Sequence, residues 1–134
     1  MAKALLEKKL AEDHRKDVEV LSAGLMMMGG LSATEETKAI LRQEGIDVSM
    51  HRSQRLSREM IRKSDLILVM EKIHEERILE MAPDIKNRLF LLKEFAKINN
   101  DGLDILDPIG KPLDFYAQTS LIIKEAVERV SNLI

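Results

Sequence analysis

Asp107-Pro108 is the pair in this sequence with the most chemistry open to it. A carboxylic acid can pass a proton to a departing atom and later draw one from water, provided the proton is available at the working pH. The same dipeptide also starts turns, with Asp bonding its own backbone and Pro fixing φ. On the residues alone the turn is the ordinary reading. His51 and His74 stand 23 residues apart, with no carboxylate spacing of a metal motif around them. Ser22, Thr34, Ser49 and Ser53 could serve as nucleophiles only with a base beside them, and no Gly-x-Ser-x-Gly elbow is present. There is no Walker loop and no Gly-x-Gly-x-x-Gly. Cysteine is absent, so these residues contain no disulfide, no thiolate metal site and no thiol nucleophile. Arg52, Arg55 and Arg58 make a local basic cluster that reads more simply as a solvated face than as a phosphate site.

The elements that must position these groups follow from apolar patterning. Ala2 to about Arg15 is rich in strong helix formers. Val18 to Leu21 alternates apolar and polar residues and predicts a short strand before Ser22-Ala23-Gly24. Residues 25–31 form an apolar loop with three consecutive Met, a soft wall for a bound side chain or a piece of core. Ser32-Ala-Thr-Glu35 has the form of a capping box, and Gly45 stops the helix that follows. Ile46 to Val48 suits a short extended piece, and Ser57 can cap a helix to about Lys63. Leu66 to Met70 and Leu89 to Leu92 are continuous apolar runs, as expected of strands buried on both faces of a parallel sheet. Helices are expected over 71–81 and 113–133, and 98–112 is a long loop. Strands alternating with helices predict an α/β layered fold. At 134 residues the chain fits one domain.

Composition narrows the function. With 21 basic and 23 acidic residues the net charge is −2, which argues against a dedicated nucleic-acid binder. At 45% hydrophobic the chain has material for a core and lacks the signature of disorder. No apolar run approaches a membrane span, and the charged N-terminus does not read as a signal peptide, so a cytoplasmic protein is expected.

Together the segments resemble the low-molecular-weight protein tyrosine phosphatases, including their bacterial protein arginine phosphatase relatives. The resemblance runs over essentially the whole chain. It is carried by Val20-Leu-Ser22-Ala23-Gly24 and by Gly45-Ile-Asp-Val-Ser-Met-His51-Arg-Ser-Gln-Arg-Leu56. It continues in Ser64-Asp65-Leu-Ile-Leu-Val-Met70 with His74, and in Asp104-Ile-Leu-Asp107-Pro108-Ile-Gly110 before a helix carrying Tyr116. The order and spacing of these pieces are specific; no single piece is. The resemblance implies a three-layer, flavodoxin-like parallel sheet with helices on both faces. It implies Asp107 as the general acid, and a pocket walled by Ser22, Gly24, Leu25, Met26 and Pro108. It gives His51, His74 and Tyr116 supporting roles. It implies a phosphorylated protein as substrate, no cofactor or metal, and neither nucleic acid nor membrane as partner. The related arsenate reductases use several cysteines, which this chain does not have.

Family members open with a strand and a Cys-x5-Arg loop that supplies the nucleophile and the phosphate clamp. This chain departs from that pattern: its first residues match the helix after the loop. The expectation is therefore a chain truncated relative to the family and catalytically inactive. Its alternatives are a non-enzymatic binding or assembly module, or a truncated protein arginine phosphatase. Ile109 stands where tyrosine-directed members usually place an aromatic residue. The missing strand is central in the family sheet. Unpaired buried backbone groups cost about 1–3 kcal/mol each, against a domain stability of roughly 5–15 kcal/mol. The strand at 18–21 is thus expected either to close onto the one at 66–70 or to take part in a segment-swapped homodimer.

Overall fold

A computed structural model describes residues 1–25 and 29–134. Its elements run α1 (Ala2–Glu12), α2 (Glu35–Gln43), α3 (Arg58–Lys63), β1 (Ile67–Val69), α4 (Lys72–Met81), a 3-10 helix (Pro83–Arg88), β2 (Leu89–Leu91), α5 (Leu92–Phe95) and α6 (Leu113–Leu133). They group into two compact units, residues 1–55 with 107–134 and residues 56–106.

In the first unit α1 and α2 both pack on α6. The contact is apolar: Leu5 and Leu10 of α1, Ile40 and Leu41 of α2, and Tyr116, Ile123, Ala126, Val127 and Val130 of α6 are all buried. On α6 these positions, with the buried Thr119, recur every three or four residues, so that helix turns one stripe inward. Thr34, not Ser32, caps α2: its Oγ1 accepts from the Thr37 N–H at 3.2 Å. The expected box thus lies two residues early. Gly45 closes the helix with φ +74°, its N–H donating to the Arg42 carbonyl while the Ile46 N–H donates to that of Leu41. That pair of bonds needs a left-handed residue, which glycine adopts without strain. Helix α1 ends by the same device, three residues before Arg15. There His14 takes φ +55°, with the His14 N–H on the Ala11 carbonyl and the Arg15 N–H on that of Leu10.

The second unit holds the sheet. β1 and β2 are parallel, pairing Ile67 with Leu89, Leu68 with Phe90 and Val69 with Leu91. Parallel neighbours need a crossover, which α4 and the 3-10 helix provide. The core here is Ile61, Val69, Ile78, Ile85, Leu89, Leu91, Leu92, Ile98 and Ile105. Lys93 is buried too, and its ammonium donates to the Asn100 carbonyl at 2.6 Å. That bond ties α5 to the loop after it.

Among the described residues the sheet has two strands only. The strand expected at Val18–Leu21 is not formed, nor is its closure onto residues 66–70, and Ile46–Val48 is irregular as well. The main chain of residues 18–21 makes no hydrogen bond among the described residues. A strand is defined by its ladder, so alternation without a neighbour does not make one. No helix of the described residues is long and apolar enough to cross a membrane.

Candidate active site

Asp107 follows the buried Ile105 and stands exposed. Its Oδ1 accepts from the Ile109 N–H at 3.0 Å, and the Lys111 N–H donates to the Pro108 carbonyl at 2.9 Å. The turn is finished by Gly110 at φ +78°, a conformation that a side chain would strain. The turn reading of Asp-Pro is thus formed. One carboxylate oxygen organises the turn, and the other makes no hydrogen bond among the described residues.

Beside Asp107 lies a cavity of about 200 Å3, lined also by Met1, Thr34, Thr37, Pro108, Ile109, Tyr116, Thr119 and Ile123. Helix α6 supplies Tyr116, Thr119 and Ile123 from one inward stripe, and α2 supplies its cap and first turn. Tyr116, expected as a supporting residue, is 3% exposed and sits in this wall. The three threonines were not among the expected site residues.

Ser22, Gly24 and Leu25 do not line that cavity. They belong to a loop fastened to residues 53–55. The Gly24 N–H donates to the Gln54 carbonyl at 2.9 Å, and Gly24 bridges Arg55 in parallel. The Gln54 amide donates to the Ser22 carbonyl at 3.0 Å. Further along, the Gly30 N–H reaches the Ser53 carbonyl and the Ser53 N–H that of Leu31, both at 2.7 Å. The wall expected from Met26 lies outside the described residues.

His51 does not support loops through its ring: among the described residues the imidazole makes no hydrogen bond. Its backbone does that work, the N–H donating to the Val48 carbonyl at 3.0 Å and the carbonyl accepting from Arg52 at 2.7 Å. Partial burial holds the ring below the usual histidine range, and the Met1 amine, Lys3 and Arg52 push the same way, with Glu7 opposing. Below its folded pKa this group gains a charge that its surroundings disfavour. His74 serves α4: its Nδ1 accepts from the Glu71 N–H at 3.3 Å, and its Nε2 lies 3.6 Å from the Glu71 carboxylate. That satisfies a backbone N–H left free where the helix begins. No cluster of three metal-binding side chains occurs among the described residues.

Compared with known proteins, residues 1–133 match the family model described as low molecular weight phosphotyrosine protein phosphatase. The chain belongs to that family. It is 35% identical over 132 residues to a protein-arginine-phosphatase of Geobacillus stearothermophilus, covering 98% of this chain and 84% of the relative. It is 31% identical over 128 residues to a probable low molecular weight protein-tyrosine-phosphatase EpsP of Ralstonia nicotianae, covering 96% and 81%. Among solved structures, the low molecular weight protein tyrosine phosphatase from T. tengcongensis superimposes with a TM-score of 0.90 at 29% identity, covering 99% of this chain and 88% of that one. The YwlE arginine phosphatase from Geobacillus stearothermophilus gives 0.86 at 33%, covering 98% and 80%. The α/β, flavodoxin-like class expected from the sequence is thus the class of the family's solved members.

Proposed function

We propose that this chain carries the acid side of a low-molecular-weight phosphatase site, and that these 134 residues do not by themselves hydrolyse phosphate monoesters. Asp107 is the proton donor in this reading. The observation that carries it is the Asp107 turn: the Ile109 N–H fixes one carboxylate oxygen and leaves the other open. A carboxylic acid so held can protonate the oxygen or nitrogen that departs from phosphorus. The attacking group in this family is a cysteine thiolate, and the chain has no cysteine. An acid without a nucleophile has no bond to break. Ser22, Gly24 and Leu25 form a pocket wall in the same reading, braced by residues 53–55.

The relatives act on phosphotyrosine or phosphoarginine in proteins, by their names. Ile109 is 66% exposed beside the acid and offers an aliphatic surface, not an aromatic ring for stacking. That feature favours the arginine-directed branch as the parent activity. The non-enzymatic alternative, a binding or assembly module, draws its support from the missing thiol.

The test is turnover of p-nitrophenyl phosphate by the purified chain and by Asp107→Asn. Silence from both is expected. Turnover that falls in the variant would show that another nucleophile attacks, and the proposal of an inactive chain would be wrong.

A further inference from the structure

The loop after α5 holds the one Asp-Gly pair of the sequence, Asp101-Gly102. The loop is fastened on both sides of it. Before the pair, the buried Lys93 ammonium donates to the Asn100 carbonyl at 2.6 Å. After it, Asp104 Oδ1 accepts from the Lys72 N–H at 2.9 Å, and the Ile105 N–H donates to the Met70 carbonyl at 2.8 Å. The pair itself is bare. Both residues are exposed. Among the described residues neither the Asp101 carboxylate nor the Gly102 N–H makes a hydrogen bond. Asp101 takes φ +52° and Gly102 φ +78°. That region is uncommon for a residue with a side chain, whereas glycine enters it freely. A Cβ on Gly102 would meet no atom within 4 Å, so the nitrogen side of the pair is open as well.

A nucleophile and an electrophile thus stand free on adjacent residues. Covalent geometry alone keeps the Gly102 nitrogen near Asp101 Cγ. Rotation about the Asp101 Cα–C and Cα–Cβ bonds brings the two together, and no hydrogen bond among the described residues holds either group back. We propose that Asp101-Gly102 is a site of spontaneous isomerisation to isoaspartate in the folded chain, by way of a cyclic imide. The Gly102 nitrogen bonds to Cγ of the protonated Asp101 carboxyl, and the carboxyl O–H leaves with the nitrogen's proton as water. Water then adds to one of the two ring carbonyls and breaks its bond to the nitrogen, which regains a proton. Opening at Cγ restores aspartate. Opening at the main-chain carbonyl leaves the peptide link running through Cγ, one methylene longer. One water is lost and one gained, so the reaction needs no other reagent.

Neighbouring aspartates lack this freedom. The Asp104 carboxylate is engaged by the Lys72 N–H, and the nitrogen after it, that of Ile105, is committed to Met70. The β-branched Ile105 side chain crowds the same nitrogen. Asp107 is followed by Pro108, whose nitrogen has no proton to lose. Asp47 Oδ1 accepts from the Ser49 N–H at 2.9 Å. The tip of a loop tied down at both ends is also where a change of main-chain length is tolerated. The added methylene falls between the Lys93–Asn100 tie and the Asp104–Lys72 tie, so neither has to break. The inference rests on this loop alone and stands apart from the phosphatase reading.

The experiment is a long incubation of the full chain at neutral pH in water enriched in heavy oxygen, with circular dichroism confirming that it stays folded. Peptide mapping with electron-transfer fragmentation then separates isoaspartyl from aspartyl residues and locates the oxygen taken from solvent. Isoaspartate carrying solvent oxygen is expected at residue 101, in excess of every other aspartate. Asp101→Glu should lose the product, because its ring would need one more atom. Asp101→Asn should form the same imide, with ammonia leaving in place of water, and should accumulate isoaspartate at residue 101 faster. No isoaspartate at residue 101 would overturn the inference. So would an equal yield at Asp104, a product without solvent oxygen, or an undiminished yield in Asp101→Glu. Deamidation at Asn99 or Asn100 alone, which changes the mass where isomerisation does not, would overturn it too.

Discussion

Replacing Glu44 by Gln tests how the helices of the first unit are tied together. Glu44 caps the C-terminus of α2. Its two carboxylate oxygens accept from Lys124 of α6 at 3.1 and 3.2 Å. Lys8 of α1 lies 3.5 Å from one of them and also donates to the Glu44 main-chain carbonyl at 2.8 Å. The Glu44 side chain is 27% exposed, but Lys124 is 44% and Lys8 38% exposed, so water screens both pairs. Screened pairs are worth about 0.2–1 kcal/mol each. Two sharing one carboxylate should contribute about 1–1.5 kcal/mol, and the Lys8 bond to the carbonyl survives the substitution. With a urea slope of roughly 1–3 kcal/mol/M, the midpoint at neutral pH should fall by about 0.3–1.5 M.

The acid dependence has a definite sign. Lys124 first, then Lys8, hold the Glu44 carboxyl below the usual glutamate range, against an opposing cost of burial. A carboxyl depressed on folding stabilises fully above its unfolded pKa and loses that contribution as pH falls through the folded value. Urea melts of the two proteins should therefore differ at neutral pH and converge in acid, once the pH has fallen below the depressed folded value of Glu44. Molar salt should shrink the neutral gap. Equal midpoints at neutral pH, or a gap of the same size at both pH values, would refute the reasoning.

Two other outcomes are expected. Leu41 is 1% exposed in the α2–α6 contact, so Leu41→Ala should cost about 2–5 kcal/mol and Leu41→Met less than about 1.5, by denaturant melts. The Arg15 guanidinium forks onto Asp17 at 2.8 and 2.9 Å and pulls its carboxyl down to about 2. In Arg15→Ala the Asp17 carboxyl resonance should titrate nearer the ordinary aspartate value of about 3.9, and an unmoved titration would contradict the pairing.

The parts of the fold legible in the sequence are those whose signal is local. Leu66–Met70 and Leu89–Leu92 announce buried strands by unbroken apolar runs, and α6 announces itself by its inward stripe. Helix ends were less legible. His14 ends α1 in a conformation usually left to glycine, so the residue type gave no warning. Ser32 and Thr34 are both good caps, and only the Thr37 N–H chooses between them. The 3-10 helix at Pro83–Arg88 hides behind a proline that reads as a stop. Asp107 was reachable through the order of the family's motifs. The threonine-lined cavity was not, because Thr34 and Thr37 meet Tyr116 and Thr119 only through packing between segments some eighty residues apart.

The bare main chain of Val18-Glu-Val-Leu21 has a consequence beyond the folded molecule. A run of β-branched and leucine residues with open N–H and C=O groups is a template for strands from other molecules, and so for aggregation. Lys16, Asp17 and Glu19 are all exposed around it. Any incoming strand must bury or pair those charges, and two copies meeting head to tail about Glu19 would set like charges face to face. The three charged side chains stand as gatekeepers at a segment whose main chain no hydrogen bond among the described residues protects.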